Sequence, residues 1–243
     1  MKTIDWESWE SIDGWMSSDA AAMLQCIAAD SVGSGVLELG VYRGKLLSLA
    51  AALFSGPVVG VDAMWDGVNN PLTGGDLEYA TQIVLSNVAR VAGGVQAHLV
   101  VSDTTLLRAG DLRAYAPDGF CFISVDGSHD ADPVTHDLDL SASLLSRGGV
   151  ICLDDGFNGV CPGVAEGFFN FLRSDSRLKA FATGYNKTLL TDSESYEMWL
   201  DRAYKWVREG TEPMYERTRQ HLQINVGARW KPHLAGSEIV PFC

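Results

Sequence analysis

The sequence predicts a doubly wound α/β fold, a mostly parallel sheet with helices on both faces, and three observations carry that expectation. Short apolar, β-rich runs recur along the chain at Val36–Leu39, Val58–Val61, Ala97–Val101, Phe120–Val125 and Val150–Leu153. Helix-length segments separate them, as crossover connections between parallel strands require. Acids stand at or beside the carboxyl ends of these runs, and that edge is where open α/β sheets bind ligands.

Each element follows from local chemistry. Asp19–Ala29 reads as a helix with Ser18 as its cap, and helices from about Lys45 to Leu53 and Leu77 to Val91 follow the first two strands. A polar, glycine-rich loop from Trp65 to Asp76, a candidate cover for the cleft edge, precedes the second of these. Asp132-Pro133 marks the start of a helix after the fourth strand, and Gly148-Gly149 closes the turn that leads to the fifth. Pro162–Leu172 reads as helix. Leu178–Thr183 and Thr188–Leu190 read as two late strands, with Asn186-Lys187 as the turn between them. The expectation is one domain over residues 1–243, with a core at about 30–200 and variable extensions at 1–18 and 201–243.

Composition narrows the function classes. Lys+Arg of 18 against Asp+Glu of 31 gives a net charge of −13, which argues against nucleic acid or any polyanion as partner. The five cysteines show no paired framework, which suggests a reducing compartment. The first ten residues lack the basic-then-apolar pattern of a signal peptide, and no apolar stretch approaches the roughly 20 residues that span a bilayer. A cytoplasmic protein with no membrane partner is expected; monomer and homo-oligomer are both left open.

The first strand runs into Glu38-Leu39-Gly40-Val41-Tyr42-Arg43-Gly44. Glycines there allow a tight turn and close approach to a ligand. The Gly-x-x-x-Gly spacing departs from the dinucleotide pattern Gly-x-Gly-x-x-Gly, and an acid at Glu38 would repel pyrophosphate. A carboxylate suits an ammonium group. Asp62, 24 residues on, is placed to bind ribose hydroxyls, and Ser102-Asp103 to reach a nucleobase amine. A nucleoside with a cationic amino-acid tail, S-adenosylmethionine, answers all three; the plain alternative is a glycine turn with capping acids.

The second constellation is Asp126-Gly-Ser-His129 with Asp154-Asp155, 28 residues later. That interval fits one helix and a returning strand, so Asp126 and Asp154 share the sheet edge. Three carboxylates, Asp126, Asp154 and Asp155, suffice for magnesium, which keeps several waters and prefers oxygen. An imidazole is the side chain suited to accept a proton near neutral pH, which makes His129 the candidate base. The plain alternative is helix capping by the acids and a loop contact for the histidine.

These motifs resemble class I S-adenosylmethionine-dependent methyltransferases, with Glu38–Gly44 and Asp62 as the first two motifs. The resemblance implies Gly40, Tyr42 and Gly44 beside the methionine end, Asp62 on the ribose, and Ala63 and Asp103 along the adenine. Asp126-Gly-Ser-His129, then Gly-Gly-Val-Ile-Cys-Leu-Asp154-Asp155 and Pro162-Gly163-Val164, is similar to the metal-dependent sugar O-methyltransferases of the macrocin and mycinamicin type. It implies magnesium on the aspartates, His129 as base, and a sugar-containing hydroxyl acceptor. Catechol-type enzymes are more distant; this chain has His129 and Asp155 where they typically carry lysine and asparagine. The alternatives are a metal-independent methyltransferase, a dinucleotide-dependent oxidoreductase, and a non-catalytic scaffold.

Overall fold

The computed structural model describes residues 4–64, 77–174, 177–222 and 231–243. The chain opens with α1 (Trp6–Glu10) and α2 (Ser18–Asp30). It then alternates β1 (Val36–Leu39), α3 (Lys45–Leu53), β2 (Val58–Asp62), α4 (Leu77–Val91) and β3 (Ala97–Val101). A 3-10 turn (Thr104–Leu106) and α5 (Ala109–Arg113) lead to β4 (Phe120–Val125), α6 (Ala131–Leu144), β5 (Leu145–Asp154) and α7 (Pro162–Ser174). The hairpin β6 (Leu178–Gly184) and β7 (Lys187–Asp192) follows, then α8 (Tyr196–Glu209), α9 (Pro213–His221) and the short strands β8 (His233–Leu234), β9 (Ser237–Glu238) and β10 (Val240–Pro241).

Eight strands form one sheet in the order β3-β2-β1-β4-β5-β7-β6-β10. Only β7 runs against its neighbours; the remaining pairs are parallel. Every residue of β1 and β4 is buried, which explains why, apart from Glu38 and Ser124, they are apolar on both faces instead of alternating. Neighbouring side chains on β4 enter opposite layers: Phe122 belongs to the layer that holds Met23, Leu47 and Trp199, and Ile123 to the one that holds Leu138, Leu153 and Phe168. Register aligns the strand ends, pairing Leu39 with Val61 and Val125, and Val125 with Leu153. No helix among the described residues is long and apolar enough to cross a membrane.

Four expectations shift. The cap of α2 is Ser17, whose hydroxyl accepts from the Ala20 amide at 3.1 Å, and Ser18 is already helical. Helix α6 starts at Ala131, so Asp132 and Pro133 fall inside its first turn. Strand β5 starts at Leu145; the glycines lie within it, beside a bulge against β4. Described residues after 201 are built into the core: Trp206, Met214, Val240 and Phe242 are buried in the layer that holds α2 and α3, and β10 extends the sheet. Two-residue strands carry no periodicity from which that could be read.

Candidate active site

Strand order reverses at β1 and β4. The loops leaving their carboxyl ends diverge there, as at the switch point of any doubly wound sheet, and a cleft of about 1140 Å3 opens above them. Its walls include Glu38, Gly40, Tyr42, Asp62, Ala63, Asp103, Asp126, His129, Asp154 and Asp155. Ser102 and Gly44 are not among them. The Ser102 hydroxyl donates back to the Asp103 carbonyl at 3.0 Å. Gly44 is the N-cap of α3 at φ 79°, pressed towards Val84. Its conformation sets the helix start and not the cleft wall. The Trp65–Asp76 loop lies outside the described residues.

The glycine loop is pinned from below. Asp62 accepts the amides of Val41 (2.7 Å) and Tyr42 (2.8 Å) on Oδ2 and that of Met64 (2.7 Å) on Oδ1. A carboxylate has about four acceptor sites, so roughly one remains for a ligand. At Gly40, φ is 84°, and an added Cβ would stand 2.0 Å from the Asp126 carbonyl oxygen. The β1 and β4 loops therefore touch backbone to backbone. The Tyr42 hydroxyl leaves the cleft to donate to Asp13 at 3.2 Å, while exposed Trp15 stacks on its ring at 5.6 Å. Asp103 accepts from the Thr105 amide and hydroxyl, which hold its carboxyl below the usual range.

Below the loop lies an acidic floor. Glu38 is 2% exposed, and its Oε2 has no hydrogen-bond partner among the described residues. Burial first, and the nearby Asp126 next, push its carboxyl well above the ordinary value. Asp126 is likewise pushed well up, by burial and then by Asp154, close enough to share a hydrogen bond with it. Facing carboxylates repel unless a proton or cation joins them.

A cation is built in, one that the turn reading of Asn186-Lys187 does not anticipate. The hairpin turn is Tyr185-Asn186, with φ of 52° and 67°, and Lys187 is the first residue of β7. Register sets Lys187 opposite Asp154. Its ammonium, 4% exposed, pairs with Asp154 Oδ2. Burial alone would lower its affinity for the proton; Asp154, with Cys152 and Asp126, outweighs that and raises it. Asn186 bridges Asp154 and Asp155 through its side-chain amide.

Asp155 does not complete a facial set with the other two aspartates. Its φ of 58° swings the carboxylate towards His129, whose Nε2 lies 3.1 Å from Oδ2. Burial would raise its pKa, but hydrogen bonds from Asn158, Asn186 and Cys161 and the charge of His129 hold it below the usual range. Among the described residues, the metal-type donors that converge within 4.8 Å are His129, Asp155 and Cys161. Among the described residues, five of the six non-glycine residues with positive φ (Tyr42, Met64, Asp155, Tyr185 and Asn186) belong to the loops of this edge, so backbone strain collects where the ligand groups are presented. A further unanticipated residue is Asp137, buried on α6, which accepts from Thr104 Oγ1 at 3.0 Å and braces the Asp103 turn.

Residues 37–156 match a family model described as a methyltransferase domain. Among solved structures, the TDP-rhamnose 3′-O-methyltransferase of calicheamicin biosynthesis superposes with a TM-score of 0.53 at 19% identity, over 71% of this chain and 77% of that one. An O-methyltransferase from Bacillus cereus, in complex with SAH, gives 0.51 at 18% over 74% and 82%. One from Streptomyces achromogenes involved in tomaymycin synthesis, in complex with SAM, gives 0.51 at 18% over 72% and 79%. No curated protein matches the sequence. The matched segment runs from the glycine loop to the paired aspartates, and the sheet has the reversal and the single antiparallel strand described above; residues 37–156 match a methyltransferase domain, and the chain has the fold of the class I methyltransferases.

Proposed function

We propose that this chain is an S-adenosylmethionine-dependent O-methyltransferase acting on a hydroxyl of a sugar or sugar-bearing small molecule, with a hard divalent cation, magnesium by preference, beside the acceptor. The observation that carries the reading is one cleft in which a buried carboxylate with one unpartnered oxygen and a backbone cradle face a histidine–carboxylate pair. The orphaned Glu38 oxygen fits the ammonium of the methionine tail, and a bound cation there offsets the burial of Glu38. The backbone contact at Gly40 fits a ligand that lies close to the chain. Ribose on Asp62 and adenine along Ala63 and Asp103 complete the donor half.

The donor set also fits a hard ion. Glu38, Asp126 and Asp154 set three acids against the one ammonium of Lys187, and their donors are all oxygen. Magnesium is commonly held by one or two carboxylates with waters, so Asp126 and Asp154 would hold it, with Asp155 at the margin. When bound, S-adenosylmethionine supplies an electrophilic methyl group and the metal supplies positive charge at the hydroxyl.

The chain's own residues do the rest. With its Nε2 proton directed to Asp155, His129 leaves Nδ1 free to accept the hydroxyl proton, and Asp155 stabilises the imidazolium that forms. The glycine loop and Asp62 fix the donor, so that transfer gains chiefly from holding the two reactants in line. The sugar-modifying activity named for the calicheamicin relative supports a glycosylated acceptor. A second reading drops the metal, because Lys187 already occupies Asp154 and Asp155 turns away.

The test is methyl transfer from labelled S-adenosylmethionine to a panel of nucleotide sugars and glycosides, with and without exhaustive chelation. Transfer that chelation abolishes and magnesium restores is expected; full activity after chelation selects the second reading. His129→Ala is expected to lower kcat by about 10²–10⁴-fold while leaving calorimetric affinity for S-adenosylhomocysteine nearly unchanged. Wild-type kcat would remove His129 from the mechanism. Asp62→Ala frees both the ribose site and the loop amides, and a loss of affinity of at least about tenfold is expected, the scale of one charged hydrogen bond. An unaltered affinity refutes that role.

A further inference from the structure

We propose that His129, Asp155 and Cys161 form a second cation seat in the cleft, selective for a borderline, thiophilic divalent ion of the zinc class, and that an ion there blocks the histidine. Their donor atoms, one nitrogen, one oxygen and one sulfur, lie within 4.8 Å of one another. Tetrahedral zinc, with bonds of about 2.0–2.3 Å, spaces its ligand atoms by roughly 3.3–3.8 Å. The His129–Asp155 separation of 3.1 Å needs only a small opening to meet that.

The seat is supported from behind. Asn158 Nδ2 donates to Asp155 Oδ1 at 2.8 Å and Asn186 donates to the same oxygen, which leaves Oδ2 for the ion. The Cys161 amide closes a turn on the Asn158 carbonyl at 3.0 Å, which fixes the thiol's approach. At present the thiol also hydrogen-bonds to Asp155. Each contact that an ion would replace is thus a proton held between two ligand atoms; binding releases the thiol proton to solvent and leaves the imidazole proton on Nδ1. Three protein ligands with an open side facing the cleft form an accessible site, not a closed structural one.

Softness separates this seat from the acidic floor. Asp126 and Asp154 offer oxygen only, suited to magnesium; a thiol and an imidazole select zinc, cobalt or their neighbours. An ion on Nε2 engages the imidazole and leaves the remaining ring nitrogen protonated, so His129 no longer accepts a proton. That last step rests on the function proposed above; the existence of the seat does not.

The probe is Co²⁺, titrated into the purified full chain in the absence of donor and acceptor. A near-ultraviolet thiolate-to-cobalt charge-transfer band is expected, saturating at one ion per chain and surviving excess Mg²⁺. Cys161→Ser is expected to abolish the band, and His129→Ala to weaken Co²⁺ affinity by tenfold or more. Absence of the band, or its persistence in Cys161→Ser, overturns the seat. In turnover assays Zn²⁺ is expected to inhibit reversibly, with the half-inhibitory concentration raised at least tenfold in Cys161→Ser. The band without inhibition supports the seat and counts against His129 as base.

Discussion

Replacing Gly40 by alanine is expected to lower the unfolding free energy by about 2–5 kcal/mol, and to abolish donor binding in whatever fraction still folds. Two costs add. A residue with a side chain at φ 84° adopts a left-handed backbone, at about 1–2 kcal/mol. The new Cβ must also find room 2.0 Å from the Asp126 carbonyl oxygen, 2.4 Å from its carbon and 2.6 Å from Gly127 Cα. Overpacking of this kind costs about 1–3 kcal/mol, and here the obstructing atoms are backbone that cannot rotate away. The Asp126 amide is itself bonded to the Leu39 carbonyl at 2.8 Å, so relief must separate the β1 and β4 loops. Urea unfolding measures the stability change and calorimetry with S-adenosylhomocysteine the binding. A midpoint within error of wild type would show that the two loops do not meet as described.

Lys187→Met is expected to be comparably severe, at about 3–5 kcal/mol. The cost is not the loss of a favourable pair but the exposure of what the pair concealed. Asp154 is 7% exposed and faces Asp126, with Glu38 nearby. Without the ammonium, three acids share one apolar-walled floor with no internal counter-charge. Removing one partner of a buried pair carries that penalty, whereas removing both is often close to neutral. The Lys187→Met, Asp154→Asn double variant is therefore expected to recover most of the loss. For a chain of this size the single variant's melting temperature should fall by roughly 6–20 °C. A single variant within about 0.5 kcal/mol of wild type, the range of ordinary surface changes, would show that Lys187 is not the counter-ion.

Both residues bear on what a sequence reveals. The parallel strands are legible because burial on both faces leaves nearly continuous apolar runs, as at Phe120–Val125, where Ser124 is the single polar residue. The acids of the cleft were legible because parallel strands all deliver their carboxyl ends to one edge. That same rule concealed Lys187. In the antiparallel β7 the amino end reaches that edge, and a lysine at the start of a strand reads as part of a turn. The Asp-Asp sequence locates Asp155 in its loop but not the direction of its side chain, since the left-handed φ of 58° is a backbone choice that the sequence does not announce. Ser102 and Gly44 carry plausible identities at plausible positions, yet one hydroxyl turns to its neighbour's carbonyl and one glycine turns to its helix. The described residues after Asp201 are not legible because their order comes from packing against α2 and β6, contacts distant in sequence.

The antiparallel strand has a consequence for how such a site diversifies. Glu38, Asp62 and Asp126 each sit on, or directly after, a parallel strand joined to its neighbours by crossovers, and moving any of them means re-laying a strand–helix unit. The lysine and its asparagine hang instead on the two-residue turn Tyr185-Asn186. A substitution or a one-residue insertion there rewrites the charge of the floor while the rest of the sheet keeps its register. The net charge that meets the substrate is therefore inherited almost separately from the fold, and descendants of one scaffold can exchange an internal ammonium for a metal ion by editing a single hairpin.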